Sequence, residues 1–224
     1  MNHYVIVADG DFLPKTIIEE VVRDKIIIAL DAAANRLAHL DIMPQLILGD
    51  FDTLNDASLA HWGIKKDPDE TPYLGSHGVT IVPRQNQAIT DLMKAIEYCD
   101  ENHASTITLI CATGGRLDHH EANLRVLRTA YRKDRLILLH TEQQTLRFVK
   151  DETVSFTGEI GDKCGVLAFP AGAFSSQGLV YEVNDYPLQF GFSESIGNIM
   201  KTKQATITVK GEALLVMPLQ LISL

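Results

Sequence analysis

Short apolar runs alternate with amphipathic stretches through the first two thirds of the chain. The apolar runs predict strands buried in a sheet, at His3–Ala8, Lys25–Leu30, Gln45–Leu48, Val79–Val82, Thr106–Cys111 and Arg135–His140. Apolar residues at helical spacing predict helices between them, at Pro14–Val22, Asn55–Trp62, Thr90–Asn102 and Leu117–Tyr131. Strands that alternate with helices are typical of a parallel sheet covered by helices. The stretch Asp67–Gly78 is rich in proline, glycine and acidic residues and predicts an exposed loop.

Beyond residue 143 the pattern changes to short β-prone segments separated by turns. These segments are Gln144–Val149, Asp151–Phe156, Cys164–Phe169, Gly178–Val183, Ala205–Val209 and Leu214–Met217. Their spacing predicts an all-β sandwich. We therefore expect an α/β fold with two domains. Residues 1–142 form an N-terminal, Rossmann-like parallel-sheet domain with helices on both faces, and residues 143–224 form a C-terminal β-sandwich domain.

Composition limits the classes of partner. The 224-residue chain carries a formal net charge of −9, and its lysines and arginines form no dense basic block. Nucleic acid is therefore not expected as a partner, because binding to a nucleic-acid backbone needs a basic stripe. A membrane is not expected either, because no apolar run approaches the length of a membrane span.

The three cysteines are odd in number and show no metal-type spacing. Reduced, buried thiols imply a reducing compartment. The first residues are typical of a strand rather than of a signal peptide. We therefore expect a cytoplasmic protein.

Two aspartates follow the third predicted strand. Asp50 and Asp52 come after an apolar run that Gly49 ends, and extended geometry would place both carboxylates on one side of the chain. Neighbouring like charges are costly unless a cation or several donors compensate them. Two interpretations follow: a pair of turn and cap residues, or a divalent-metal site at the carboxyl end of a strand, where open α/β sheets bind ligands.

Further polar residues follow other predicted strands. Asp31 ends the second strand and is interpreted either as a helix N-cap or as a group that meets a ligand. Thr90 and Asp91 begin a helix, with Lys94 one turn later. Asp91 is interpreted either as a structural cap or as a third metal-side carboxylate, with Lys94 reaching a phosphate.

A glycine-rich turn stands between the fifth strand and its helix. Gly114 and Gly115 precede Arg116 there, and Asp118 follows. Backbone N–H groups, the helix dipole and an arginine together indicate a phosphate-binding turn. The spacing matches neither the Walker loop nor the Rossmann glycine fingerprint. His119 and His120 diverge by about 100° on a helix, which disfavours a shared zinc ion. The residues alone thus predict a metal-dependent enzyme that acts on phosphates.

Four ordered motifs resemble the thiamine pyrophosphokinase family. They are D-x-A-A-N-R-L from Asp31, G-D-F-D-T-L from Gly49, T-D-L-x-K-A from Thr90 and G-G-R-L-D-H-x-x-x-N from Gly114 to Asn123. The resemblance continues through Gly178-Leu179-x-Tyr181 and Ser195-Ile196-Gly197-Asn198. It implies transfer of an intact diphosphate from ATP to the hydroxyl of thiamine, which yields thiamine diphosphate and AMP. It also implies a homodimer with active sites at the subunit interface.

The resemblance implies the following roles by position. Residues 1–142 would be the nucleotide-binding catalytic domain, and residues 143–224 the thiamine-binding domain. The catalytic residues would be Asp50, Asp52, Asp91 and Asp118, of which Asp50, Asp52 and Asp91 would bind Mg²⁺. ATP would contact Asp31, Asn35, Arg36, Thr90, Lys94, Gly114, Gly115, Arg116 and Asn123. Thiamine would contact Tyr181, Ser195 and Asn198, with Tyr181 in the place of an aromatic residue that is often tryptophan.

Two departures from the family pattern leave alternatives open. Ala88 stands where the family commonly has an acidic residue, and Gly197 stands where it has a second serine. A Mg²⁺-dependent nucleoside triphosphate hydrolase is one alternative function. A non-catalytic protein that binds thiamine or a nucleotide is another. Either Asp91 or Asp118 could serve as the general base.

Overall fold

The structure is a computed structural model that describes residues 2–221. Its helices are α1 (Lys15–Val22), α2 (Ala33–His39), α3 (Asp56–Trp62), α4 (Asp91–Glu101) and α5 (Leu117–Thr129). Its strands are β1 (Asn2–Val7), β2 (Ile26–Leu30), β3 (Leu46–Gly49), β4 (Tyr73–Leu74), β5 (Thr80–Pro83), β6 (Ala104–Ile110), β7 (Leu136–His140), β8 (Gln144–Lys150), β9 (Thr153–Thr157), β10 (Lys163–Gln177), β11 (Tyr186–Gln189), β12 (Ser195–Ile199) and β13 (Gln204–Pro218). The chain divides into two compact units, one ending at Ile137 and the other beginning at Leu138.

The first unit is the expected parallel sheet with helices. Its strands follow the order β6-β1-β2-β3-β5, all parallel, and β4 adds antiparallel to β5 at the edge. Helix α4 packs against β1, β2, β3 and β6. The carboxyl ends of β2, β3 and β6 and the start of α4 carry the predicted polar residues. Because parallel strands end at the same edge of a sheet, this topology groups those residues.

Helix boundaries agree closely with the hydrophobic pattern. Thr90 caps α4 by accepting a hydrogen bond from the Met93 N–H at 3.3 Å, and Asn55 caps α3 in the same way through Ser58. The predicted loop Asp67–Gly78 is only partly irregular. It contains β4, whose residues pair with Ile81 and Thr80, and a short 3₁₀ turn at Ser76–Gly78.

The second unit is antiparallel, as expected for its pattern. The two 15-residue strands β10 and β13 pair along most of their length. One half of β13 pairs with β8 and the other half with β9, while the two halves of β10 pair with β12 and β11. Long strands that change partners in this way supply both layers of a sandwich. Side chains from both halves form one buried cluster, which includes Phe156, Val166, Leu188, Val209 and Leu215.

Several strand predictions in this unit are wrong. Ala205–Val209 and Leu214–Met217 belong to one continuous strand, in which Gly211 at φ 82° bends the chain. The pairing with β10 shifts register at this bend, between Ala168 and Gly172, and continues on both sides of it. Gly178–Val183 forms no strand, and Leu179 makes only an isolated bridge to Met200. The structure also adds β11 and β12, which the sequence pattern did not predict.

Among residues 2–221, no helix combines the length and apolar character needed to cross a membrane. All three cysteines are buried free thiols. Burial raises the pKa of Cys99 to about 12 and the pKa values of Cys111 and Cys164 to about 11. These thiols are therefore protonated and poorly nucleophilic at neutral pH.

Candidate active site

Three aspartates converge at the ends of β2 and β3. One carboxylate oxygen from each of Asp31, Asp50 and Asp52 lies within 4.8 Å of the other two. Asp50 and Asp52 were expected to be close because of an extended chain, and that reason is wrong. Phe51 between them has φ 66°, so a tight turn brings the two carboxylates together, with the Asp52 N–H 3.5 Å from Asp50 Oδ1.

Asp31 does not cap helix α2. The cap position is Ala32, without a side-chain hydrogen bond. The Asp31 carboxylate instead accepts hydrogen bonds across the sheet from the Phe51 N–H at 3.3 Å and from Thr53 Oγ1 at 3.2 Å. Gly49 is what makes room for it, since a Cβ at that position would lie 2.0 Å from Asp31 Oδ1. The glycine that ends β3 is therefore required by the aspartate that ends β2.

The environment of Asp31 disfavours the ionised form of its own carboxyl group. Burial, with further contributions from Asp91 and Asp50, raises its pKa to about 7. Burial and the charge of Asp50 also raise the pKa of Asp52. A group of carboxylates whose charged forms are disfavoured in the absence of a cation is the arrangement expected of a cation site. All its donors are oxygen atoms, which suits Mg²⁺.

Lys94 supplies the cationic charge within the protein itself. Its side chain is only 2% exposed, and its Nζ lies 2.9 Å from Asp50 Oδ2 and 2.8 Å from Asp91 Oδ1. Burial alone would raise the pKa of Asp50, but the hydrogen bond and charge of Lys94 lower it. The sequence predicted that Lys94 would reach a phosphate. In the structure its Nζ lies between two carboxylates, and a contact with phosphate stays a prediction.

One neighbour of this cluster, Gln87, was not among the residues predicted from the sequence. The Gln87 amide donates a hydrogen bond to Asp50 Oδ2 at 2.9 Å, next to Ala88, where the family commonly has an acidic residue. Its amide donates to Asp50 but adds no negative charge. A polar side chain beside a missing motif position is the signal that points to it.

The glycine-rich turn connects β6 to α5 close to the end of β1. Gly114 and Gly115 have φ values of 76° and 64°, a region that favours glycine. The Asn123 amide donates to the Ala112 carbonyl at 2.8 Å, and the Asp11 N–H donates to the Thr113 carbonyl at 2.8 Å. Asn123 therefore holds the shape of the turn.

Two predicted nucleotide contacts have protein partners. The Asn35 amide donates to Ser58 Oγ and accepts from the Trp62 indole N–H, both at 2.9 Å. Arg36 pairs with Asp9 at 3.0 Å and lies over the Phe12 ring. Asp9 is thus a further carboxylate at this edge of the sheet, and none of the sequence motifs includes it.

Arg116 and Asp118 form an exposed pair at the start of α5. Their side chains lie 2.6 Å apart, and this hydrogen bond lowers the pKa of Asp118. A carboxylate whose pKa is lowered is a weaker general base. The structure groups Asp31, Asp50, Asp52, Asp91 and Lys94 by direct contacts, but it shows no contact that joins Asp118 to that group among the described residues.

In the second unit, Asn198 holds the backbone of Tyr181. Its Oδ1 accepts from the Tyr181 N–H at 3.2 Å, and its Nδ2 donates to the Tyr181 carbonyl at 2.9 Å and to Ser195 Oγ at 3.4 Å. Asn198 is buried, whereas the Tyr181 side chain is exposed. Gly197, which departs from the family pattern, has φ 68°. A serine in this left-handed conformation would be strained.

The unusual state of Asp31 gives a test of the carboxylate cluster. A carboxyl whose pKa is higher in the folded protein than in the unfolded chain lowers the free energy of unfolding as it ionises. This penalty is absent at about pH 4 and complete above about pH 7. We therefore expect Asp31→Asn, in EDTA, to gain stability over the wild type as pH rises through this window. The gain should reach a few kcal/mol, at about 1.4 kcal/mol for each pH unit.

Denaturant unfolding of both proteins from pH 4 to pH 8 measures this difference directly. The same variant should lose activity, so that stability and activity change in opposite directions. A constant difference in the free energy of unfolding across the window would contradict the assigned environment of Asp31.

Known proteins are similar to this chain over nearly its whole length. The family described as "Thiamin pyrophosphokinase, catalytic domain" matches residues 19–139, and "Thiamin pyrophosphokinase, vitamin B1 binding domain" matches residues 144–214. Thiamine pyrophosphokinase 2 of Oryza sativa subsp. japonica is 25% identical, over 91% of this chain and 82% of the rice protein. Thiamin pyrophosphokinase 1 of Caenorhabditis elegans is 25% identical, over 87% and 78%.

The fold has matching solved structures. The crystal structure of thiamine pyrophosphokinase from Bacillus subtilis aligns with a TM-score of 0.79 at 19% identity, over 96% of this chain and 98% of that one. The yeast thiamin pyrophosphokinase aligns with a TM-score of 0.79 at 16% identity, over 98% and 87%. The fold of this chain, a parallel-sheet unit followed by an antiparallel β unit, is therefore the fold of these solved structures.

Proposed function

Because this chain belongs to the thiamin pyrophosphokinase family, it is an ATP-dependent enzyme that forms thiamine diphosphate, and we propose how its residues do so. The observation that carries the assignment of roles is the cluster of Asp31, Asp50 and Asp52 beside Lys94 and Asp91. Residues 1–142 bind ATP and carry the chemistry, and residues 143–224 bind thiamine.

The carboxylates at the ends of β2 and β3 bind the divalent cation of the nucleotide. Asp50 and Asp52 are its main ligands, with Asp31 beside them and Asp91 contributing from the start of α4. Bound there, Mg²⁺ would offset the charge of the phosphate oxygens. Lys94 fixes the position of Asp50 and Asp91 and keeps part of the cluster neutral, so that the carboxylates are held in place before ATP arrives.

The reaction is an in-line displacement at the β-phosphorus of ATP. The thiamine hydroxyl oxygen forms a bond to that phosphorus, the bond from the α,β-bridging oxygen breaks, and AMP leaves with the electron pair. The hydroxyl proton is transferred to a carboxylate. We assign this role to Asp91 rather than to Asp118, because Asp91 is joined to the carboxylate cluster through Lys94. Within the turn at Gly114–Arg116, the backbone N–H groups of Gly115 and Arg116 orient the phosphates, together with the first turn of α5. Catalysis is then mostly positioning and charge stabilisation.

The second unit presents the acceptor. Tyr181 offers an exposed aromatic ring on which the thiamine rings can stack, and Ser195 offers a hydroxyl. Asn198 acts by holding the Tyr181 backbone. Gly197 leaves one hydroxyl fewer than the family pattern, which would weaken acceptor binding before it changed the reaction.

A screen of alcohols with ATP and Mg²⁺ tests the assigned substrate. We expect AMP release to require thiamine and to yield thiamine diphosphate in equal amount. AMP or ADP formed at the same rate without thiamine would favour the nucleoside triphosphate hydrolase. Binding of both ligands without turnover would favour the non-catalytic alternative.

The chain assembles as a homodimer with active sites at the subunit interface. In support, large hydrophobic side chains on the second unit are exposed, among them Phe190 at 70%, Phe192 at 87% and Ile196 at 78%. Exposed apolar patches are typical of interaction surfaces, and Phe190 and Phe192 lie two residues apart in the chain. A sedimentation mass equal to one chain of 24.8 kDa would contradict this assembly.

The protein functions in the cytoplasm. Three buried free thiols suit a reducing compartment. Recovery of the activity in an oxidising compartment after cell fractionation would contradict this location.

A further inference from the structure

His120 makes a hydrogen bond with the glycine-rich turn that the mechanism above does not use. The Gly114 N–H donates a hydrogen bond to His120 Nδ1 at 3.0 Å. The donor is a backbone amide, so Nδ1 must be unprotonated and His120 must be an acceptor at this atom. His120 lies one turn into α5, and its side chain therefore reaches back over the start of its own helix.

The turn needs such a constraint because its two glycines are flexible. Gly114 and Gly115 both have φ in the left-handed region, where glycine also samples many other conformations. Asn123 and the Asp11 N–H bind the carbonyls of Ala112 and Thr113, which precede the glycines. The bond from His120 acts on Gly114 itself.

A second contact limits the other side of Gly114. A Cβ on this residue would lie 2.0 Å from Asp11 Oδ2, so the Asp11 carboxylate lies directly against the glycine. A phosphate cannot use the Gly114 N–H without displacing His120, and it would meet the negative charge of Asp11 there. The amides available to an anion are therefore those of Gly115 and Arg116, whose direction depends on how Gly114 is held.

We propose that His120 is a positioning residue for ATP: it fixes the Gly114 peptide so that the next two amides point toward the phosphates. This proposal rests on the nucleotide-binding role proposed above for Gly114–Arg116. Without the bond, the Gly114 N–H would turn toward water, and ATP would have to reorder two glycines as it binds. The cost falls on nucleotide affinity and leaves thiamine binding unaffected.

Three variants separate this role from a general structural one. His120→Leu removes the acceptor and keeps an apolar side chain. His120→Asn places an amide oxygen close to the position of Nδ1 and can accept the same hydrogen bond. Glu121→Gln, one residue away in α5, alters only an exposed ion pair with Arg125 at 3.6 Å and serves as the matched control.

We expect His120→Leu to raise the KM for ATP about three- to tenfold, the effect of one hydrogen bond, with an unchanged KM for thiamine. His120→Asn should restore most of the affinity, and Glu121→Gln should equal the wild type. Calorimetric titration of a non-hydrolysable ATP analogue with Mg²⁺ should show the same order of affinities.

An unchanged nucleotide affinity in His120→Leu would overturn the proposal. So would an equal loss in His120→Leu and His120→Asn, or a parallel rise in both KM values. The calorimetric measurement needs no turnover, so it tests His120 even if the wild type proves not to make thiamine diphosphate. Failure of the assigned activity and failure of this inference are therefore distinguishable.

Discussion

Asp52→Asn is expected to lower the turnover rate at least about a hundredfold, the scale of removing one key electrostatic group from an active site. The described contacts of Asp52 include no ion pair of its own, and the side chain is exposed, so the substitution removes charge without unpairing a buried cation. Loss of one carboxylate from the cluster weakens the binding of Mg²⁺. Steady-state rates at increasing Mg²⁺ concentration measure both effects.

Asp56→Asn is the matched control for this experiment. Asp56 also follows β3, but it is an exposed residue paired with Lys66 at 2.8 Å and lies outside the carboxylate cluster. We expect its rate to stay close to that of the wild type. An Asp52→Asn enzyme with unimpaired turnover would contradict the assignment of the cation site.

Lys94→Met is expected to destabilise the metal-free protein by about 3–5 kcal/mol, as when one partner of a buried ion pair is removed. Asp50 would lose the ammonium group that offsets its burial, and its side chain is only 9% exposed. Asp91 would lose the same partner. The free energy of unfolding in EDTA, from urea titration, gives the size of the loss.

The chain offers a closely matched control in Lys66→Met. Lys66 and Asp56 also lie 2.8 Å apart, but their side chains are 72% and 81% exposed. A solvent-exposed pair contributes little to stability, because water screens the two charges. Mg²⁺ should stabilise Lys94→Met more than it stabilises the wild type, because the cation would supply part of the missing charge. Equal stability of Lys94→Met and Lys66→Met would contradict the described role of Lys94.

The sequence predicted the first unit well because its signals are local. Helix α4 carries apolar residues at regular spacing and Thr90 as a cap, and the structure begins and ends it within one residue of the predicted bounds. The carboxylates after β2 and β3 could be grouped in advance, because parallel strands must end at one edge. The reason for a glycine at position 49 is visible only in the structure, where the residue lies directly against Asp31.

Long-range side-chain contacts could not be predicted. The position of Lys94 one turn into α4 follows from the sequence, whereas its hydrogen bond to Asp50, 44 residues away, does not. His120 was considered only as a metal ligand with His119. The hydrogen bond that its Nδ1 accepts from Gly114 forms only because the glycine-rich turn folds back over the start of α5.

The strand errors in the second unit have a similar cause. Lys210, Gly211 and Glu212 look like a turn between two strands, yet the glycine bends one continuous strand, whose pairing with β10 shifts register there and then continues. Pairing with distant partners, rather than local composition, decides where such strands end.

The central claim is that one displacement moves an intact diphosphate from ATP to thiamine at this carboxylate cluster. ATP labelled in its γ-phosphate tests it most directly. We predict that the label appears in thiamine diphosphate together with one AMP, that Mg²⁺ and thiamine are both required, and that Asp52→Asn abolishes most of this transfer. Label released as inorganic phosphate, with ADP formed whether or not thiamine is present, would contradict the account.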